Sequence, residues 1–142
     1  EMAASLGAAS ASTAGSVAEL LDDQQPSVRA SAAASLGCMG DEAECFLEPL
    51  AKLFHDKAWP VQIAAIKTVA GCGELGQMYA SDVCRLIFDG NARVRMAACE
   101  ALTQMGERGA CFAEEVQSLL DDASPQVSAA AQKALEQFAS CA

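Results

Sequence analysis

The side chains that could carry out nucleophilic or metal-dependent chemistry in this sequence are seven cysteines and a single histidine. A zinc site needs clustered ligands, but no two cysteines form a Cys-x-x-Cys arrangement and His55 has no second histidine nearby. The pattern instead predicts reduced thiols that pack as small apolar side chains, and no bound metal. Thiol titration of the denatured chain without reductant should detect all seven. They are Cys38, Cys45, Cys72, Cys84, Cys99, Cys111 and Cys141.

The other polar residues do not predict catalysis. A catalytic triad needs a histidine base, and His55 shares its repeat position with Asp22, Phe88 and Asp121, so we expect it at the surface. A cysteine nucleophile would lack a neighbouring base and any cause for a lowered thiol pKa. Acidic pairs such as Asp121-Asp122 lack the x-Asp-x-Asp-x-Gly pattern of a calcium-binding loop, and no glycine-rich phosphate loop occurs. We therefore predict no catalytic, cofactor-binding or metal-binding residue, and a protein that is not an enzyme.

The composition favours one helical domain that contacts neither nucleic acid nor a membrane. Its 142 residues are rich in alanine and only 5% aromatic, which favours closely packed helices over a sheet sandwich. Nine basic residues against nineteen acidic ones give a net charge of -10, so the basic stripe of a nucleic-acid binder is missing and anionic membranes are disfavoured. The apolar runs are too short to span a bilayer. Free thiols indicate a reducing intracellular compartment, either the cytosol or an organelle interior.

A 33-residue internal repeat organises the chain. Shifting the sequence by 33 residues brings residues of one type into register over four copies without gaps. The most regular columns contain Leu20, Leu53, Leu86 and Leu119; Asp23, Asp56, Asp89 and Asp122; Val28, Val61, Val94 and Val127; Ala32, Ala65, Ala98 and Ala131; and Gly7, Gly40, Gly73 and Gly106.

Each repeat has the pattern of two helices joined at a corner. In the first repeat, Val17, Leu20 and Leu21 follow a spacing of three and four that lines one helical face, and Pro26 suits the first turn of the next helix. Predicted helices span 10–22, 26–38, 43–55, 59–71, 76–88, 92–104, 109–121 and 125–139, with no strand. The predicted core comprises Val28, Ala32, Leu36, Val61, Ala65, Val69, Val94, Ala98, Leu102, Val127 and Leu135, faced by Leu20, Leu53, Leu86 and Leu119.

The segments Leu20 to Gly37 and Asp89 to Gly106 resemble the core of the HEAT repeat. The resemblance covers about residues 17–142 and implies an all-α, right-handed α-solenoid of about four helical hairpins, with repeats at about 17–49, 50–82, 83–115 and 116–142. Residues 1–16 form an Ala/Ser-rich segment, which we interpret as the remnant of an earlier repeat because Ala3 to Gly7 echoes Ala33 to Gly37.

The resemblance also implies a structural ladder of charged residues along the stack. HEAT-like arrays place an aspartate between the paired helices and an arginine early in the second helix. Those positions correspond here to Asp23 with Arg29 and to Asp89 with Arg95. Gln62 and Ser128 replace the arginine in the other two repeats, so we expect an incomplete ladder. Its role is expected to be helix capping and pairing between repeats.

Apolar residues of the second helices suggest an interaction surface. Ile63, Ile66, Met96 and Cys99 occupy neighbouring columns, so they form either an apolar docking strip on the concave face or packing buried between the repeats. Trp59 stands at a corner where it serves either as an interface anchor or as packing against the previous repeat.

The expected function is a non-catalytic protein-binding scaffold or an accessory subunit that braces a larger macromolecular assembly. The predicted partners are other protein chains. We expect Phe138 near an open end of the stack, where more chain or a partner would cover it. Two alternatives remain: an enzyme or cofactor-handling protein similar to HEAT-like bilin lyases, and a regulatory subunit of an enzyme.

Overall fold

The computed structural model describes residues 13–141 and contains four helical hairpins in series. Within that range no residue lies in a β-strand. In chain order the α-helices are α1 (13–19), α2 (Pro26–Gly37), α3 (Leu47–Lys52), α4 (Trp59–Ala70), α5 (Gly73–Gln77), α6 (Ala80–Arg85), α7 (Ala92–Gln104), α8 (Glu107–Ala110), α9 (Ala113–Gln117) and α10 (Pro125–Cys141). The 3₁₀ helices are Leu20–Asp22, Gly40–Phe46, Leu53–His55, Leu86–Phe88 and Ser118–Asp121.

The helices α2, α4, α7 and α10 are the second helices of the four repeats, and they pack side by side in one layer. The segment before each of them, which we call its first limb, packs against the second helix of the same repeat. The chain is therefore an all-α solenoid, which confirms the predicted fold class. Helix α1 crosses the domain boundary predicted between residues 16 and 17.

The second helices begin at the predicted corners. Proline lies in the first turn of α2 and α4 and opens α10, where its missing N–H breaks no helical hydrogen bond. Helix α7 begins differently, because the side chain of Asn91 accepts a hydrogen bond from the backbone N–H of Arg93 at 2.8 Å.

The first limbs are not the single helices that the pattern predicted. Each limb in the described range combines short helical pieces and ends in a 3₁₀ turn; residues 10–12 of the first prediction lie outside that range. The reason is a change of packing partner within the limb. Helix α5 contacts the preceding second helix and α8 contacts both the preceding second helix and its own, whereas α6 and α9 contact the second helix of their own repeat.

Two glycines allow the close approach of α5 and α8 to the preceding helix. A Cβ atom at Gly76 would overlap the carbonyl oxygen of Val69, and one at Gly109 would overlap the carbonyl oxygen of Leu102. The limb therefore touches a helix backbone at this point and must bend before it runs beside its own partner. Ala43 occupies the same repeat position, and its limb begins as the 3₁₀ helix Gly40–Phe46 instead.

The hydrophobic core follows the predicted columns except at the two ends of the described stack. Val28 and Leu135 are half-buried, and Leu20 is 44% exposed, so their predicted burial is wrong. Their columns are covered by a neighbouring repeat elsewhere, but no described residue lies on the outer side of these three. The predicted residues that are buried are Ala32, Leu36, Leu53, Val61, Ala65, Val69, Leu86, Val94, Ala98, Leu102, Leu119 and Val127.

Candidate protein-binding surfaces

The arginines of the ladder connect successive repeats at the corner edge of the stack. The Arg29 guanidinium donates to both carboxylate oxygens of Asp56, at 2.8 and 3.1 Å. Arg95 donates in the same way to Asp122, at 2.9 and 3.0 Å. Paired hydrogen bonds between a guanidinium and a carboxylate fix both distance and orientation.

The carboxylate partners differ from those that the resemblance implied. Within its own repeat, Arg29 donates to the backbone carbonyl of Asp23, and Arg95 donates to that of Asp89. The aspartate carboxylate comes from the following repeat in both cases. The ladder therefore joins neighbouring repeats.

The positions without arginine keep part of this arrangement. The Gln62 amide donates to the carbonyl of Phe54 at 2.8 Å and lies 3.5 Å from the Asp89 carboxylate. The Ser128 hydroxyl donates to the carbonyl of Leu120 at 2.7 Å. The interruption expected at Gln62 is therefore a weaker link to the next repeat.

The ladder aspartates also shape the corners. The carboxylate of each one accepts a hydrogen bond from the backbone N–H two residues later, which stabilises the turn before the second helix. Burial of Asp56 favours its neutral form, but hydrogen bonds from Arg29 and Ala58 outweigh this and hold its pKa below the ordinary value of 3.8. Hydrogen bonds from Arg95 and Ser124 likewise lower the pKa of Asp122.

Replacing Asp56 with asparagine should destabilise the chain at neutral pH and weaken its acid sensitivity. Asparagine keeps an acceptor for the N–H of Ala58 but loses the charge that pairs with Arg29. Because the folded-state pKa of Asp56 is lowered, its charge stabilises the fold fully above pH 3.8, and this contribution disappears as the pH falls through the lowered value. Urea denaturation across that pH range measures the difference from the unmodified chain.

Asp23→Asn is the matched control. The Asp23 carboxylate accepts from the N–H of Gln25, and residues 13–141 provide no guanidinium hydrogen bond to it. Its replacement should have a smaller effect at neutral pH. An equal loss of stability in the two variants would show that the pairing between repeats contributes nothing beyond the turn.

Trp59 occupies the start of α4, where its side chain is 37% exposed. The guanidinium of Arg93, from the next repeat, lies 4.6 Å from the centre of the indole ring. This cation–π contact favours one orientation of an exposed aromatic side chain. Trp59 therefore contacts the following repeat through Arg93.

Two grooves adjoin this pair. Trp59 lines one of about 420 Å³ together with His55 and Asp89, and Arg93 lines another of about 310 Å³ with Met96 and Gln126. Ile63 and Met96 are half-buried on the same helices. Together these features leave Trp, Arg and Met side chains partly accessible on two neighbouring second helices.

Ile66, Cys99 and Phe138 do not contribute to such a surface. Ile66 and Cys99 are fully buried between the repeats, and Phe138 is only 7% exposed. Ile66 and Cys99 therefore pack between the repeats, which was the predicted alternative to a docking strip. The expectation that Phe138 lies exposed at an open end is wrong, because α10 turns this ring into the core.

The first limbs carry exposed apolar residues that the sequence analysis missed. Met78 is 64% exposed and Leu75 is 47% exposed, and both line a groove of about 470 Å³ between the limbs of the second and third repeats. A signal was present in the repeat alignment, because Leu75 shares its column with Glu42 and Arg108. An apolar residue in a polar column indicates an exposed side chain.

The charges are divided unequally between the two layers. The second helices contain five basic and two acidic residues, whereas the rest of the chain contains four basic and seventeen acidic ones. The first limbs, the corners and the N-terminal segment therefore have a net charge of -13, and the second helices have a net charge of +3.

Comparison with protein families decides the classification. A profile of the family described as HEAT repeats matches residues 47–136, which is more than half of the chain. The chain belongs to the HEAT-repeat family. No curated protein shows a match.

Solved structures similar to this HEAT-repeat chain include three engineered or designed proteins. One engineered protein has a TM-score of 0.69 and 22% identity, covering 88% of this chain and 62% of its own. A second has a TM-score of 0.66 and 22% identity, with 87% and 36% covered. A designed armadillo repeat protein has a TM-score of 0.64 and 19% identity, with 86% and 63% covered. The chain thus spans less than two thirds of each, and the likeness establishes the fold alone.

The HEAT-repeat architecture generally mediates protein interactions, and a repeat solenoid is typical of non-catalytic scaffolds. In the described range no helix combines the length and the apolar character that a membrane span requires. No group of three or more His, Cys, Asp or Glu side chains in that range could hold a metal ion.

Three thiols of the HEAT core are buried and weakly acidic. Burial raises the pKa of Cys84 to about 11 and that of Cys99 to about 12, and it also raises the pKa of Cys72. Because the thiolate is the reactive form, these residues are poor nucleophiles at neutral pH. Cys38, Cys45 and Cys111 are free and exposed.

Proposed function

We propose that this HEAT-repeat chain is a non-catalytic protein-binding module, acting as a scaffold or accessory subunit that braces a larger assembly. Its partner is another protein chain, which docks on the second-helix face, defined here by Trp59, Ile63, Arg93 and Met96. The observation that supports the proposal best is the exposed Trp59 side chain, which Arg93 holds in one orientation beside two grooves.

The residue types of this face are those that protein interfaces favour. Trp, Arg and Met are enriched in interface cores, and a few Trp, Tyr or Arg side chains commonly carry most of the binding energy. An indole that is already oriented loses little side-chain entropy when a partner covers it. Trp59 therefore supplies the anchor, and Ile63 and Met96 supply the apolar area beside it.

The charge of the second-helix layer also supports docking on this face. The second helices carry a small excess of basic residues in a chain whose total charge is -10. A partner that approaches this layer avoids most of the acidic residues, which lie elsewhere in the sequence. Packing of α4 against α7, together with the weaker link from Gln62 to Asp89, holds the two helices that carry this face side by side.

Trp59→Ala should reduce partner binding by at least about ten-fold, because truncation of an aromatic anchor commonly removes 2 kcal/mol or more, by an order-of-magnitude estimate. The experiment isolates the chain with its bound proteins from the cells that produce it, identifies the partner and measures its affinity by titration calorimetry. Phe88→Ala is the matched control, since Phe88 is an exposed aromatic outside this face. Equal binding by the two variants would contradict the assignment.

The chain purified with its bound proteins also distinguishes the scaffold function from the two alternative functions. A regulatory subunit would bind an enzyme and change its rate, which an activity assay with and without the chain detects. A cofactor-handling protein similar to bilin lyases would show visible absorbance after purification or after addition of a bilin. Absence of any co-purifying protein together with such absorbance would replace the scaffold proposal.

A further inference from the structure

The groove beside Met78 is distinct from the second-helix face. It lies between the first limbs of the second and third repeats, and its lining includes Glu44, Leu47, Glu48, Leu75, Met78 and Asp82. Leu47 is buried at its base, whereas Leu75 and Met78 are the exposed apolar residues of its wall. Large apolar side chains this exposed, gathered in one groove, are uncommon on a surface that binds nothing.

Met78 belongs to two grooves at once. It also lines a second groove of about 450 Å³, between the limbs of the third and fourth repeats, together with Phe112. Its side chain therefore forms the ridge that separates two adjoining hollows. Methionine is flexible and polarizable, which lets such a ridge adapt to the side chains of a bound segment.

Carboxylates lie beside the apolar wall in this groove, whereas Glu107 and Arg108 line the second groove on the other side of Met78. Glu44, Glu48 and Asp82 line the groove, and its lining contains no lysine or arginine. Arg85 lies 3.8 Å from Asp82, but it is largely exposed, so this loose pair is screened by solvent. The groove thus combines an apolar centre with a net negative rim.

We propose that this groove binds a cationic amphipathic helix of a partner protein. The apolar stripe of that helix covers Leu75 and Met78, and its flanking lysines or arginines meet Glu44, Glu48 and Asp82. Charge complementarity selects this occupant, because an anionic membrane or a nucleic acid would be repelled by the rim. The groove runs between helical limbs, which suits a third helix, and residues 13–141 offer no strand edge that could pair with an extended peptide.

The probe is a fluorescent synthetic peptide of leucine and lysine, about five helical turns long, with leucines at helical spacing. Its counterpart carries glutamate in place of every lysine. Fluorescence anisotropy with the 142-residue chain should show binding of the cationic peptide that weakens as salt increases, and binding of the anionic peptide at least about ten-fold weaker.

Substitutions in the groove test whether the cationic peptide binds there. The double change Leu75→Ser with Met78→Ser should lower affinity for the cationic peptide by about ten-fold or more. Glu44→Gln with Glu48→Gln should lower it several-fold at low salt and reduce its salt dependence. All these side chains except Glu44 are substantially exposed, and circular dichroism of each variant verifies that the helices are retained.

Two controls distinguish the groove from general attraction to an acidic protein and from the second-helix face. Glu114 shares the repeat column of Glu48 but lines neither groove, so Glu114→Gln should bind the peptide normally. Trp59→Ala should also bind it normally, which keeps this inference separate from the proposed function. No binding, equal binding of the two peptides, or an equal loss in the Glu114 variant would overturn the proposal.

Discussion

Leu102→Ala should lower the free energy of unfolding by about 2–5 kcal/mol. Leu102 is fully buried in α7, and its backbone carbonyl lies against α8 of the fourth repeat. Truncation removes buried apolar surface and leaves a cavity that the surrounding helix backbones cannot easily close. Urea denaturation monitored by circular dichroism measures the loss.

Leu120→Ala is the matched control, because the same truncation is made at a leucine that is exposed at the corner edge. Its effect should stay below about 1 kcal/mol. A loss under about 0.5 kcal/mol for Leu102→Ala would show that the assigned register is wrong, because a leucine outside the core loses little on truncation.

Gly109→Ala should destabilise the chain by about 3 kcal/mol, near the upper end of the usual range for overpacking. The added methyl group would overlap the carbonyl oxygen of Leu102, and the obstructing atom belongs to a helix backbone that cannot rotate away. Helix α8 would have to withdraw from α7, which separates the fourth repeat from the third. The same denaturation experiment reports this as a lower midpoint or as a second transition.

Gly90→Ala provides the comparison for that result. A Cβ atom at Gly90 meets no atom within 4 Å, and the equivalent positions of other repeats are Gln24, Lys57 and Ala123. This variant should therefore be close to neutral in stability. Similar unfolding curves for the two glycine variants would indicate that α8 does not press against α7.

The second helices could be predicted because each keeps the same helical pattern of apolar residues along its whole length. Proline or a capping residue begins them, Val and Ala recur at helical spacing, and each packs against the second helices beside it. Burial of Val61, Val94 and Val127 follows directly from that periodicity. The glycine column of the repeat has a physical cause at Gly40, Gly73 and Gly106, whose φ angles of 64°, 65° and 61° favour glycine; Gly7 lies outside the described residues.

The first limbs could not be predicted in the same way, because their shape depends on two partners. Apolar spacing indicates a helix, but it does not show that α8 must touch the Leu102 carbonyl before α9 joins α10. The glycines at 76 and 109 mark that contact. Without the structure, however, they are indistinguishable from glycines that simply interrupt a helix.

The candidate binding surfaces were only partly predictable for a related reason. Trp59 and Met96 could be assigned to the correct helices, but periodicity does not show whether a small or apolar residue faces a neighbouring repeat. Ile66 and Cys99 are buried because α4 and α7 pack closely, which depends on the distance between helices. Likewise, whether Arg29 binds the aspartate carboxylate of its own repeat or that of the next repeat depends on the offset between the repeats.

Site-specific photo-crosslinking detects whether the second-helix face holds a partner protein. Lys67 is exposed on α4, one turn after Ile63, and Lys52 is exposed on a first limb. A photoreactive lysine analogue placed at position 67 should form a covalent adduct with the partner when illuminated in the native complex. The same analogue at position 52 should form little or none. Adducts from position 52 but not from position 67 would contradict the account.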